Sequence, residues 1–208
     1  MEKNRIYYTL AMIYTFVKRF LDIIIAILML IIFLPFLPVF AIIIKHQSPG
    51  PVFFKQKRTG LNGKTFVMYK LRSMDVNDEA DTKQATRYDS RKFPFGRFMR
   101  KLSIDEIPQL VNVLKGDMSI IGPRPHMLLH TKYYSALIPN YMERHKVKPG
   151  ITGWAQVKGN RGSTPMLWIM ERRVESDIWY VNHQSFLLDL TIMVLTFKVL
   201  LFPSKTAN

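Results

Sequence analysis

From Ile23 to Ile44 the chain runs for 22 residues without one charge. A straight helix of that length spans roughly 30 Å of hydrocarbon. Pro35 and Pro38 sit inside the run, and each removes a backbone donor and crowds the preceding turn. The pattern therefore predicts two helices with a break between them. Both flanks are cationic, with Lys18 and Arg19 before the run and Lys45 after it. Positive charge at both ends favours a segment that dips into a bilayer and returns over one that crosses it. The run is long and ends without a small-residue cleavage site, so it does not read as a signal peptide. The aromatic stretch Tyr7–Phe20 before it predicts a surface helix leading into the membrane.

Beyond Lys45 the pattern turns mixed. Pro51–Gln56 and Thr65–Lys70 alternate as short strands, joined by the turn signal Gly60-Leu-Asn-Gly63. Met74–Arg91 is polar and unpatterned, hence a loop. Pro94–Lys101, Ile107–Lys115, Leu128–Lys146 (broken near Pro139) and Met166–Asn182 carry helical spacing, and Gly116 supplies a stop. Pro149–Gly153 reads as a turn. The last apolar stretch, Ser185–Phe202, is interrupted by Asp189 and Lys198. It fits a helix lying in a membrane interface, and equally a core helix. The sum is an α+β chain, mostly helical with a small β element. A membrane-associated part over residues 1–46 carries a re-entrant helix–break–helix. A globular part over 47–208 has interfacial amphipathic helices.

Charge sharpens this picture. Lys and Arg total 30 against 15 acids, a net +15, while mean hydropathy is +0.02. Such an excess suits nucleic acid, or anionic lipid and phosphorylated substrates. The segment Lys45–Asp75 holds seven cations against Asp75 alone and directly follows the apolar run, which favours lipid. With no Cys, disulfides and Cys-ligated zinc are excluded.

Three clusters offer chemistry. Ser103-Ile-Asp105-Glu106-Ile-Pro108 opens a helix. Ser103 and Glu106 have the spacing of a capping box, although Pro108 would place the cap at Asp105 instead. Arg97, Arg100 and Lys101 lie just upstream. Adjacent helical residues diverge by about 100°, so in a site Asp105 and Glu106 would have separate roles, one attacking and one holding a metal. Arg124, fixed between Pro123 and Pro125, suits bidentate phosphate recognition, or a turn satisfied by Asp117. Lys70 and Arg72 close a strand as further candidates, or as solvated surface. Arg144–Gln156, with its Gly-rich turn and Trp154, fits a nucleotide pocket or an ordinary turn. His126 and His130 have i, i+4 spacing, but Met127 stands where a zinc protease needs Glu, and no third ligand is evident.

The ordered pieces Ser48-Pro-Gly-Pro-Val-Phe-Phe54, Tyr69-Lys-Leu-Arg-Ser-Met74, Leu102-Ser-Ile-Asp-Glu-Ile-Pro-Gln-Leu110, Asn112-Val-Leu-Lys-Gly-Asp-Met-Ser119, Gly122-Pro-Arg-Pro125 and Lys148-Pro-Gly-Ile-Thr-Gly-Trp-Ala-Gln156 together resemble the monotopic phosphoglycosyl transferases, or bacterial sugar transferases. The likeness covers nearly the whole chain. It implies that Asp105 attacks the β-phosphate of a UDP-sugar, releasing UMP and forming a covalent sugar-phosphate ester that polyprenyl (undecaprenyl) phosphate then takes up. It implies that Glu106 binds Mg²⁺, and that Lys70, Arg100 and Arg124 steady phosphate oxygens. It also implies a re-entrant segment, here broken at Pro35 and Pro38 without the Ser often found there, in a bacterial inner membrane with the catalytic domain on the cytoplasmic face. The chain resembles the minimal form of the family, and its Val157–Asp177 region resembles the branch handling glucose- or galactose-type phosphates. The partners implied are a UDP-sugar, polyprenyl phosphate and anionic lipid, with no nucleic acid and with a homo-oligomer compatible. A basic membrane-anchored module binding nucleic acid or lipid is the competing reading. The acids at Asp105 and Glu106 weigh against it, since they repel phosphate unless a metal intervenes.

Overall fold

The structure is a computed structural model and describes residues 2–86 and 89–201, with side chains from residue 9 onward. The final residue of the predicted interfacial stretch, Phe202, lies outside the described residues.

The apolar run forms α1 (Glu2–Phe33), a 3₁₀ turn (Leu34–Phe36) and α2 (Leu37–Gln47). The break falls on Pro35, as the missing donors require, while the backbone stays right-handed through Phe33, Phe36 and Leu37. The stretch Thr9–Gln47 is long and apolar enough to cross a membrane. Its apolar side chains are largely exposed, Phe16, Ile31, Ile32 and Ile42 among them. An apolar helix left uncovered by protein needs another apolar medium. One stripe of α1 is covered: Asp22, Ala26 and Phe33 are buried. Ile44 of α2 is fully buried beside Leu71 and Met99, a burial contributing about 1.5–3 kcal/mol. A string of rings, Phe33–Phe40–Phe95–Phe98, runs from the break to the helix that holds Arg100, with centroid spacings of 5.6, 5.5 and 5.8 Å.

The hairpin β1 (Phe53–Thr59) and β2 (Thr65–Leu71) pairs antiparallel, from Phe53 with Leu71 to Thr59 with Thr65. Asn62 adopts φ 52° at its tip, the left-handed conformation that Asn tolerates. Beyond residue 91 come α3 (Pro94–Lys101) and α4 (Gln109–Lys115), the latter ended by Gly116 at φ 88°. Then follow β3 (Ser119–Ile121), α5 (Leu128–Leu137), a 3₁₀ turn (Tyr141–His145), β4 (Gly150–Thr152), α6 (Trp154–Val157), α7 (Leu167–Asn182) and α8 (Phe186–Leu201).

Two expectations need correction. Pro149–Gly153 is more than a turn: Gly150–Thr152 pairs parallel with β3, Ser119 opposite Gly150 and Ile121 opposite Thr152. A Cβ on Gly150 would lie 2.1 Å from the Gly122 nitrogen, so the glycine serves this close backbone approach. The capping box is also absent. Ser103 is left-handed (φ 58°) and makes no side-chain cap bond, and α4 begins only after Pro108.

Helix α8 takes a middle course between core and surface. Ile192 and Asp189 are buried, whereas Leu187, Val194, Phe197 and Leu201 are exposed. Asp189, the acid that interrupts the apolar run, accepts hydrogen bonds from Tyr14, Lys18 and Tyr180. Together with Arg19, which donates to the Val113 and Leu114 carbonyls at the end of α4, it fastens α1 to the globular part.

Candidate active site

Asp105 and Glu106 sit on the 3₁₀ turn Ile104–Glu106, between α3 and α4. The turn is held over the end of β2 by packing of Ile107 and Ile104 against Leu71 and Met99. Glu106 accepts from Lys70 Nζ at 2.6 Å and, bidentately, from the Arg124 guanidinium, with Nη1 at 3.1 Å from Oε2. The structure thus answers the question left open for Arg124: its partner is Glu106, and Asp117 pairs with Lys115 instead. Lys70 is no solvated surface residue either. Arg72 does neither job, since its guanidinium donates to the carbonyls of Ser48, Pro49 and Pro51 and to the Ser48 hydroxyl. It ties the chain leaving α2 to the end of β2.

Asp105 is buried, 3% exposed, and no hydrogen bond to its carboxylate forms among the described residues. Burial pushes its carboxyl up, Lys70 pulls it back, and the neighbouring Glu106 charge raises it again. Burial would raise Glu106 too, but Arg124 and Lys70 override it and hold that group well below the usual carboxylate range. Two adjacent acids thus have separate environments, one clamped by cations and one held in reserve. Arg100, half-buried on α3, lines the same cleft and helps lower Asp105.

These residues line a cleft of about 1270 Å³. Its polar wall includes Lys70, Asp105, Glu106 and Arg124. Apolar side chains of α1 and α8 also line it, Met29, Phe197 and Leu200 among them. One cleft therefore offers both a cationic and an apolar surface.

The profile of the bacterial sugar transferase family matches residues 13–203 of this chain. The chain belongs to that family. A UDP-glucose:undecaprenyl-phosphate glucose-1-phosphate transferase of Xanthomonas campestris pv. campestris is 50% identical over 192 residues, 91% of this chain and 40% of the relative. A protein of the same name from Escherichia coli (strain K12) is 50% identical over 181 residues, 86% of this chain and 39% of the relative. Another, from Caulobacter vibrioides, is 47% identical over 185 residues, 88% of this chain and 69% of the relative. The chain therefore spans about two fifths of the length of the first two relatives. The family match takes in both the cationic and the apolar residues of the cleft, from α1 to α8.

Among the described residues no group of three or more His, Asp and Glu side chains converges as a metal cage. That does not exclude Mg²⁺ chemistry from this donor set. Mg²⁺ is commonly held by one or two carboxylates, with substrate phosphates completing its shell. Adjacent Asp105 and Glu106 on the cleft supply carboxylate oxygens of that kind.

Sequence reasoning missed several residues around the site. Arg144 is no nucleotide ligand: it is 1% exposed and paired with Asp177 at 3.0 and 2.6 Å, and it donates to the Arg124 carbonyl at 2.7 Å. Trp154 stacks on Trp179 at 4.9 Å, while Gln156 of the same segment lines the cleft. Gln56 and Arg58 face inward on β1 while Lys55 and Lys57 are exposed, a strand alternation that was present in the sequence.

Proposed function

We propose that this protein transfers a sugar 1-phosphate, glucose 1-phosphate first among candidates, from a UDP-sugar to polyprenyl (undecaprenyl) phosphate at the inner face of a bacterial cytoplasmic membrane. One observation carries the reading: a buried, unclamped Asp105 stands beside a cation-clamped Glu106 in a cleft that apolar side chains also line. The relatives' shared name supports the choice of donor and acceptor.

The donor's diphosphate enters the polar side, where Lys70, Arg100 and Arg124 bind its oxygens. A carboxylate oxygen of Asp105 attacks the phosphorus that bears the sugar. The bond from that phosphorus to the bridging oxygen breaks, UMP leaves with the electron pair, and an aspartyl sugar-phosphate anhydride remains. An oxygen of polyprenyl phosphate then attacks the same phosphorus. The bond to Asp105 breaks, the carboxylate is restored, and a polyprenyl diphosphate sugar departs into lipid. One difficult displacement is split into two easier ones. When held at Glu106, Mg²⁺ supplies charge neutralisation for the diphosphate.

Residues 23–44 enter the leaflet and return at Pro35 and Pro38, which keeps both basic flanks on the cytoplasmic side. The exposed apolar faces of α1 and α8 support that placement, as does the aromatic string from the break to α3. This brings the lipid acceptor to the apolar side chains of the cleft, while the surrounding cations gather anionic headgroups.

The test is turnover by the full chain in lipid nanodiscs with Mg²⁺, UDP-glucose and undecaprenyl phosphate. UMP and a lipid-linked sugar should appear together, and neither should form with Asp105→Asn. Release of UDP instead of UMP would overturn the reading, as would lipid-linked product from the Asn variant.

A further inference from the structure

Next to the phosphate-facing residues lies a second polar wall that the reaction above leaves unused. The end of β1 pairs with the segment after Arg124: Thr59 N donates to the His126 carbonyl at 3.1 Å, and Arg58 bridges to Met127. This sets Arg58 and His126 side by side in the same cleft as Asp105. Both are tightly fixed. The Arg58 guanidinium donates to the Pro125 carbonyl at 3.3 Å and to the Gln56 side chain, which is itself anchored to Ala80 and Asp81. His126 is 4% exposed, and its Nδ1 shares a 2.6 Å hydrogen bond with the hydroxyl of Tyr141, a residue 1% exposed behind the wall.

Each keeps one polar atom without a partner: Arg58 Nε and His126 Nε2. A buried polar atom left unsatisfied costs stability, so its retention on a cleft wall points to a ligand. Nδ1 is spent on Tyr141, so Nε2 is the imidazole nitrogen of this cleft-lining residue that is left for a ligand.

We infer that His126 Nε2 and the free edge of Arg58 form the subsite for the hydroxyl groups of the donor's sugar ring. The assignment rests on the transfer reaction proposed above. Phosphate is the poorer occupant here. Burial and the neighbouring Arg144, Arg173 and Arg58 hold the His126 imidazole neutral, well below its ordinary range. A neutral imidazole suits a hydroxyl, which can donate or accept, better than a dianion. His126 also stands two residues from Arg124, so a ring attached to the phosphate held there falls beside it.

The experiment measures kcat/KM with UDP-glucose and with its 4-epimer UDP-galactose, alongside the inhibition constant of UMP, in wild type, His126→Ala and Tyr141→Phe. For His126→Ala, kcat/KM with the better donor should fall between about 2-fold and about 12-fold, the range for one neutral hydrogen bond. The preference between epimers should shrink toward one, with UMP inhibition unchanged. Tyr141→Phe keeps the ring but frees its orientation, so a smaller change in the same direction is expected, and it reads the subsite if the Ala variant does not fold. Unchanged epimer preference in both variants would overturn the assignment. UMP inhibition weakened as much as donor use would place the nucleotide at this wall instead. A wild-type chain that turns over no UDP-sugar would sink the reaction itself, a different failure from an active chain with unmoved preference.

Discussion

The Arg144–Asp177 pair and the Glu106 cluster are both charge taken out of water, yet they are built differently. At Arg144–Asp177 one guanidinium meets one carboxylate, both 1% exposed, and its Nη2 also donates to the Arg124 carbonyl. That arrangement is closed. At Glu106 two cations share one carboxylate, a second acid waits beside it, and Arg100 adds positive charge along the same cleft. That arrangement is open. A buried pair set back from the cleft acts as frame, whereas a cluster with excess positive charge on the cleft still attracts an anion. The two are joined, because Arg144 holds the carbonyl of Arg124 and so fixes the backbone from which the Arg124 guanidinium reaches Glu106.

Substitutions on the two sides should therefore fail in different ways. The largest effect belongs to the open cluster. Asp105→Asn should cut turnover by on the order of 10³-fold or more while leaving the melting temperature nearly unchanged. A large loss of stability in that variant would blur the distinction between site and frame. Next comes the closed pair: Asp177→Asn leaves the Arg144 charge buried and unmatched, costing about 3–5 kcal/mol of stability. Thermal unfolding in detergent measures this, and an unshifted transition would show that water reaches the pair. Arg124→Lys keeps the charge but loses the fork. It should reduce kcat/KM for the nucleotide sugar about 10-fold to 100-fold, with little change in unfolding. The smallest effect is expected at the membrane break. Pro35→Ala with Pro38→Ala returns two backbone donors to the helix, favouring one straight segment. Donor cleavage should be nearly preserved and transfer to the lipid acceptor should fall several-fold, which separate assays of the two half-reactions would resolve.

The sequence made local features legible and left distant pairings hidden. The hairpin, α3, the Gly116 stop and the proline break all depend on residues within one or two turns of one another, and periodicity finds such features. β4 pairs with β3 about thirty residues upstream, and Gly150 is demanded by the Gly122 backbone, a relation no local pattern carries. Arg144 likewise looked available for a ligand because its partner, Asp177, lies on a separate helix. Ser103 and Glu106 matched a capping box by spacing alone, and Lys70 and Arg124 drew Glu106 into the cleft instead. The dyad itself was visible as adjacent acids after a basic stretch. Their unlike environments were not, since these depend on cations from β2 and from the segment after β3.

The open cluster's central role is tested most directly by intact-protein mass spectrometry after incubation with Mg²⁺ and UDP-glucose, with no lipid acceptor present. The predicted result is a mass gain equal to one hexose phosphate, absent in Asp105→Asn and discharged when undecaprenyl phosphate is added. A gain that survives in the Asn variant would contradict it. So would no gain from a folded chain that releases UMP once lipid is supplied.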